Sequence, residues 1–543
     1  MKYRALSALA ISISLVGVHA HAQDDDEDLA ASPGGKPSES KKADEPPADA
    51  GKDAAKQEDA AKAKAEPRAE VSPADTSVST AAEPASQRPP VYGKRGDWNI
   101  TPYGYARLDA IEDSTQSFED GIQPNLIARV GTYKGDHRRT IFTARDSRLG
   151  IAVGAPTFEG IKSSAVVELD FYGLTPTDAR KHDSVVFGPV RIRHAYFKLE
   201  TSVVDVIAGQ YYDLFGWNGS FYPATVGYLG VPAQVYHRNP QLRIEKKIHL
   251  GDTEITAAVA AVRPGQRDSG VPDGEAGIKF AFNGWNGAAM AGFGRPSLSA
   301  LSIGVSGLYR RFEAPAFRNQ PGSLAVRTNG WGVAAQALLP VIPIKDIEHH
   351  GNALTLTGEF STGTGIADMY TFMDGGSRFP LLPNPQKADP AFQYQANVDP
   401  GLVTFDRNSV LKTINWRAVV AGAQYYLPVG NGRIWLSGTY SRVWSDNLRD
   451  LTPFVSWGAI FTKMDYIDAN LGFDITPAAV AGLSFQTVHQ QFGDVTSPDP
   501  VYGTMADTSG NGKVGSIPTV PGTGGKFAGA RNNRVQLSMA LFF

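Results

Sequence analysis

From about residue 100 to Phe543, short runs of the chain alternate apolar and polar side chains with a period of two. In VVELDFYG, Val167, Leu169 and Phe171 alternate with Glu168, Asp170 and Tyr172; in QLRIEK, Leu242 and Ile244 alternate with Gln241, Arg243 and Glu245. NALTLTGEF sets Leu354, Leu356 and Phe360 against Thr355, Thr357 and Glu359, and GRIWLSGTY sets Ile434, Leu436 and Tyr440 against Arg433, Ser437 and Thr439. The final RVQLSMALFF places Val535, Leu537, Met539, Leu541 and Phe543 on one face and Arg534, Gln536 and Ser538 on the other. Successive strand side chains point to opposite faces, so this is the rhythm of a strand and not of a helix. A soluble barrel keeps its polar set outside, whereas full charges opposite an aliphatic set call for a watery interior inside an apolar surround. The expected fold is all-β: a transmembrane antiparallel β-barrel.

The chain opens MKYRALSALAISISLVGVHAHAQ, in which Lys2 and Arg4 precede an apolar run and Ala20-His21-Ala22 supplies small residues for cleavage. Residues 1–22 are therefore expected to be a signal peptide cut after Ala22, sending the protein out of the cytoplasm. No other segment reaches the roughly 18–20 apolar residues of a spanning helix, and residues 333–344 are broken by Pro340 and Pro343. With no cysteine in 543 residues, disulfides and thiolate metal sites are excluded.

Residues 23–90 are rich in Ala, Pro and charge and poor in large apolar side chains, a composition that cannot offset the entropy of ordering and is expected to be a disordered linker. Prolines at 46, 47, 67, 73, 84, 89 and 90 argue against a coiled coil there. The linker carries 16 acidic and 9 basic residues and the first 22 residues add two positive charges, which against a chain total of −3 leaves residues 91–543 at +2. Selectivity in this last segment, the barrel domain, must come from where charges sit.

An outer-membrane barrel with both termini in the periplasm needs an even number of strands, with long loops and short turns in alternation. Strand starts near residues 100, 142, 160, 189, 203, 240, 253, 274, 299, 326, 351, 413, 432, 465, 478 and 533 give 16 strands. Longer connections, such as 112–141, 173–188, 213–239, 364–412 and 492–532, follow the odd strands, and APTFEG, ETSVVD, IHLGD, PVGNG and DITPA follow even ones. Residues 283–297 are read as an extended turn. The alternative is 18 strands, adding this segment and NLIARVGTY near residue 125.

The runs YGYARLDA (103–110), DSRLGIAVG (146–154), VVELDFYG (166–173), RIRHAYFKLE (191–200) and IAGQYYDLFGW (207–217) resemble, in order and spacing, the first five strands of Gram-negative porins and of the DcaP-like trimeric porins in particular. Beyond residue 245 the resemblance is carried by strand rhythm, loop pattern and the terminal Phe543, which with Leu541 and Met539 resembles the signal read by the barrel assembly machinery. The resemblance implies a homotrimer in the outer-membrane lipid, each pore narrowed by an inward-folded loop after the fifth strand, here residues 213–239. Such loops often present acids, whereas this one holds only Asp213, with His237 and Arg238 as its possible cations. The family also places a coiled coil before the barrel, where this chain has its Pro-rich segment.

Alternation places Arg107, Arg148, Arg191, Arg193 and Arg243 inside as pore-lining residues, together with Asp109, Asp146, Glu168, Asp170 and Glu245. A basic ladder in a partly dehydrated pore favours anions such as carboxylates. Alternatively, the five acids pair with the five arginines and merely brace the wall.

Asp507–Gly512 opens like a calcium loop, but position twelve is Pro518, and His349-His350 lack partners at ligand spacing, so no metal is expected. GVSGL at 304–308 is not a nucleophile elbow, no phosphate-cradling or cofactor motif occurs, and nothing points to nucleic acid. The expected function is passive diffusion of small hydrophilic solutes, not catalysis; a rim hydrolase and a structural or adhesive barrel are the rival readings.

Overall fold

The structure is a computed structural model that describes residues 94–95, 98–122, 126–173, 190–227, 231–316, 325–371, 373, 382, 397–406, 408, 410–451, 461–492 and 529–543. The expected signal peptide, linker and DTSGNG loop lie outside the described residues.

Sixteen antiparallel strands form one closed sheet. They are β1 (Trp98–Asp113), β2 (Arg139–Thr143 and Arg148–Gly154, interrupted by residues 144–147), β3 (Lys162–Asp170), β4 (Arg191–Glu200), β5 (Asp205–Tyr212), β6 (Arg238–Leu250), β7 (Thr253–Val262) and β8 (Asp273–Ala289). The second half comprises β9 (Ser297–Pro315), β10 (Ala325–Ile342), β11 (Leu354–Thr364), β12 (Asn415–Tyr426), β13 (Ile434–Trp444), β14 (Phe461–Asp474), β15 (Ala479–Phe492) and β16 (Gly529–Phe542). Each strand pairs with the next in sequence, and β16 pairs with β1 from Tyr105↔Phe542 to Asp113↔Arg534. The main chain of Phe543 completes the seam, its N–H donating to the Gly104 carbonyl and its carbonyl accepting from the Gly104 N–H, both at 3.1 Å. Gly104 has to be small: a Cβ there would lie 2.2 Å from the Arg148 carbonyl oxygen and 3.1 Å from the Phe543 ring.

The outward set is the aliphatic one. Leu108, Leu242, Leu537 and Leu541 are about half exposed, while their inward neighbours Arg107, Arg243, Gln536 and Ser538 are buried. Closure pairs every strand and leaves no open edge, the condition for a sheet in hydrocarbon. Residues 126–132 are not a strand, and the 18-strand alternative is thereby set aside.

Two features depart from the sequence reading. Residues 283–297 are not simply a turn: after a bulge between Phe282 and Asn286, β8 continues to Ala289 paired with β9, and residues 290–296 make the turn. The inner face is also not polar all round, because Trp416, Val420, Trp435, Val443 and Val488 point inward and are fully covered. Apolar loop segments fold over them. Phe118 and Ile127, Ile366, Tyr370 and Met373, and Leu402, Phe405 and Ile414 pack with side chains of β12, β14 and β15 in one buried cluster.

Candidate functional site

The connection after β5 crosses the interior. Residues 213–227 and 231–237 of it are described, and its backbone groups, cut off from water, find partners on wall side chains as burial requires. Glu275 on β8 accepts the N–H groups of Leu214 (2.7 Å) and Phe215 (3.0 Å), and Ser306 on β9 accepts that of Gly216 (2.7 Å). Farther round, Glu359 on β11 accepts from Val235 (2.7 Å) and Ser441 on β13 donates to the Pro232 carbonyl (2.5 Å). At the apex, Thr225 donates to Asp468 on β14 (2.5 Å), the Val226 N–H donates to Asn470 (3.1 Å), and Arg107 on β1 donates to the Val226 carbonyl (2.8 Å). Several inward acids of the late strands are thus acceptors for this loop.

The loop's own acid does not face the lumen. Asp213 is fully buried and staples the two loop ends, meeting His237 Nδ1 at 3.0 Å and accepting from Asn239 Nδ2 at 2.9 Å.

The turn after β8 also enters the barrel. Gly292 exchanges main-chain hydrogen bonds with Thr225 (3.2 Å) and Pro223 (3.0 Å), the Met290 N–H donates to Gln424 (2.9 Å), and the Phe293 ring lies 4.9 Å from the Arg107 guanidinium. A Cβ on Gly482 would meet both Val226 and Phe293 at 2.7 Å, so the bare backbone of β15 makes room for loop and turn together. Ala224, Val226, Met290 and Phe293 then form a buried cluster with Tyr426, Trp435 and Val480, and Trp217 with Phe221 forms another against β7. None of the three apolar clusters has a member on β1 to β6. The polar wall of the interior lies there.

On that wall the ten candidate pore-lining residues pair with one another. Arg107 holds Asp109 (2.8 Å) and Asp146 (2.7 Å); Arg243 holds Glu245 (2.5 Å). Arg193 holds Glu168 (2.6 Å) and Asp170 (3.0 Å), Arg191 holds Asp170 (2.6 Å), and Arg148 lies 3.5 Å from Glu168. A bulge on β4, where Glu168 faces His194 and Leu169 faces Ile192, leaves Arg193 as the extra residue. It lets Arg191, Arg193 and His194 all reach the interior, while Ile192 and Phe197 face outward. Arg107 and Arg243 are bound up in packing, the latter 5.3 Å from the Trp217 ring of the crossing loop.

The sequence names Arg238 only as a possible cation of the crossing loop, and the structure adds it to this wall. Arg238, where the loop rejoins the sheet, stands 5.2 Å from the Tyr236 ring and 5.9 Å from that of Tyr212. Its Nη1 is buried without a hydrogen-bond partner, and no carboxylate among the described residues lies within ion-pair distance. Tyr236 also accepts from Arg193 Nη2 at 3.1 Å. Arg148, Arg191, Arg193 and Arg238 thus gather round two carboxylates, Glu168 and Asp170, beside the tyrosines 212, 222 and 236. The available signal was Arg238's place at the loop-to-strand junction, which alternation cannot assign.

The remaining motifs resolve into ordinary contacts. Ser306 serves the crossing loop, His350 meets the Ile347 carbonyl through Nδ1 (2.6 Å), and His349 meets Asp346 (2.8 Å), a hydrogen bond that holds the Asp346 carboxyl below its ordinary range.

No family model matches the chain, and no curated protein matches it. Among solved structures, the outer membrane channel DcaP of Acinetobacter baumannii is similar at TM-score 0.55 and 17% identity, over 83% of this chain and 99% of that one. The anion-selective porin of Comamonas acidovorans aligns at TM-score 0.42 and 12% identity (82% and 100% covered), and outer-membrane-expressed OmpT of Vibrio cholerae at 0.42 and 9% (83% and 100%). The closed sixteen-stranded barrel of this protein has the fold of the DcaP channel.

Proposed function

We propose that the protein is an outer-membrane porin through which small hydrophilic solutes diffuse passively along the β1–β6 wall, with a weak preference for anions such as carboxylates. The observation that carries the reading is the gathering of Arg148, Arg191, Arg193 and Arg238 on that wall, where no carboxylate among the described residues lies within ion-pair distance of Arg238, and the crossing loop opposite buries its single acid. Guanidinium forks suit carboxylates, and a narrow lumen with low-dielectric walls focuses their field. The apolar fillings along β7–β16 support a path restricted to this side. Assembly as a homotrimer and insertion by the barrel assembly machinery belong to the same proposal, on the strength of the sequence resemblance.

Reconstitution in planar bilayers tests it. Conductance steps in groups of three and a reversal potential displaced toward the anion in a salt gradient are expected. A barrel whose folding is established by heat-modifiable migration, yet which conducts at no voltage or salt concentration, overturns the porin reading in favour of a structural or enzymatic barrel. Clear cation selectivity overturns the anion preference alone.

A further inference from the structure

The lipid-facing surface carries a row of charge that the pore does not use. On β16 the outward residues Val535, Leu537, Met539 and Leu541 are each about half exposed, and beyond them, at the end of the strand away from Phe543, stand Asn533 and Arg531. Arg531 is directly opposite His489 on β15, His489 is opposite Asp465 on β14, and Asp465 is opposite Arg442 on β13. Opposed residues on adjacent strands bring their Cβ atoms to about 5 Å, so the row crosses four strands in roughly 15 Å. Lys463 adds a third permanent cation, 3.6 Å from Asp465.

The row is under-compensated. Asp465 is its only acid, and it already binds Arg442 Nε at 2.5 Å and accepts from Tyr440 at 3.3 Å. Among the described residues no carboxylate lies within ion-pair distance of Arg531. Three other outward cations are paired, Arg417 with Asp446 (2.9 Å) and both Arg311 (2.6 Å) and Arg327 (2.9 Å) with Glu313. All three cations of the row face away from the lumen, since Ser441, Val443, Met464, Val488, Gln490 and Asn532 take the buried inward positions.

Charge on the lipid side of a barrel is tolerated only at headgroup level, where phosphate is the natural partner of such cations. We propose that Arg442, Lys463 and Arg531 form a binding site for the phosphate of a phosphorylated glycolipid in the outer leaflet. Its acyl chains would run down the apolar rows of Val535–Leu541 and Leu483–Phe485. The site rests on the barrel spanning the outer membrane with Phe543 at the inner side.

Native mass spectrometry of the purified full-length protein tests this, with bis-phosphorylated lipid A, the same lipid stripped of phosphate, and inorganic phosphate as competitor. The wild type should retain the phosphorylated lipid, and Arg531→Gln with Lys463→Gln should weaken retention roughly tenfold or more. Arg531→Lys with Lys463→Arg should keep it, showing that charge and not fold is lost. Conductance of the double variant should equal that of the wild type, which separates this site from the pore. Equal retention by the double variant, equal retention of the stripped lipid, or displacement of the lipid by inorganic phosphate would each overturn the proposal. So would a double variant that loses only its oligomeric state.

Discussion

Arg107 on β1 donates from Nη2 to the carbonyl oxygen of Val226 at 2.8 Å, across 119 residues of sequence. The same guanidinium binds Asp109 and Asp146 and donates to Ser538 on β16 at 3.1 Å. One side chain therefore joins the barrel seam, the break in β2 and the apex of the crossing loop. Arg107→Ala leaves two buried carboxylates without their cation, a change expected to cost about 3–5 kcal/mol. Urea unfolding from vesicles should show that loss, and single channels should open to a larger and noisier level as the apex is released. An unchanged unfolding midpoint would count against the bracing role.

Selectivity should depend on which arginine is removed. Arg238→Ala takes away a guanidinium with no carboxylate partner among the described residues and is expected to move the reversal potential toward cations, less so at high salt, where screening shortens the field. Arg243→Ala removes a cation already bound to Glu245 and packed on Trp217, and it should leave the reversal potential close to that of the wild type. The double change Arg148→Ala with Arg193→Ala leaves Glu168 and Asp170 with Arg191 and should shift it furthest. If the three variants gave one common value, this ordering of the wall would be wrong.

Glu275 holds the entry of the crossing loop by accepting two adjacent N–H groups. Glu275→Ala leaves both buried donors unsatisfied, at about 1–3 kcal/mol each, whereas Glu275→Gln keeps an acceptor. Frequent closures in single-channel records are expected for the alanine variant and few for the glutamine one. The same flicker in both would implicate the charge instead of the hydrogen bonds.

The Gly104–Phe543 seam separates stability from assembly. Phe543→Asp places a charge near the membrane interface, where a finished barrel pays only about 0–1 kcal/mol. A much larger fall in membrane-inserted protein, measured against the unfolding midpoint of the fraction that does insert, would mark recognition of the terminal aromatic during assembly. Gly104→Val acts differently: its side chain meets the Arg148 carbonyl and should lower the midpoint itself.

Much of the barrel could be read locally, because alternation is a property of neighbouring residues. Period two placed the sixteen strand starts within a few residues of where β1 to β16 begin, and loop parity kept residues 283–297 from becoming an extra strand. The same alternation aimed Arg107, Arg148, Arg191, Arg193 and Arg243 inward, and all five are there. The sequence by itself therefore determined the fold class, the approximate strand positions and the side of the sheet on which these charges lie, while the choice of 16 strands over 18 came from the structure. Only the tertiary structure decided what those charges meet. Arg107 finds Val226, Glu359 finds Val235 and Asp468 finds Thr225 across 119, 124 and 243 residues, and no local pattern encodes such distances. The inward paths of the crossing loop and of the turn after β8, the apolar filling over Trp416 and Trp435, and the placement of the Arg238 guanidinium beside Tyr236 depend on backbone groups satisfying their hydrogen bonds inside a ring that exists only once β16 has closed on β1.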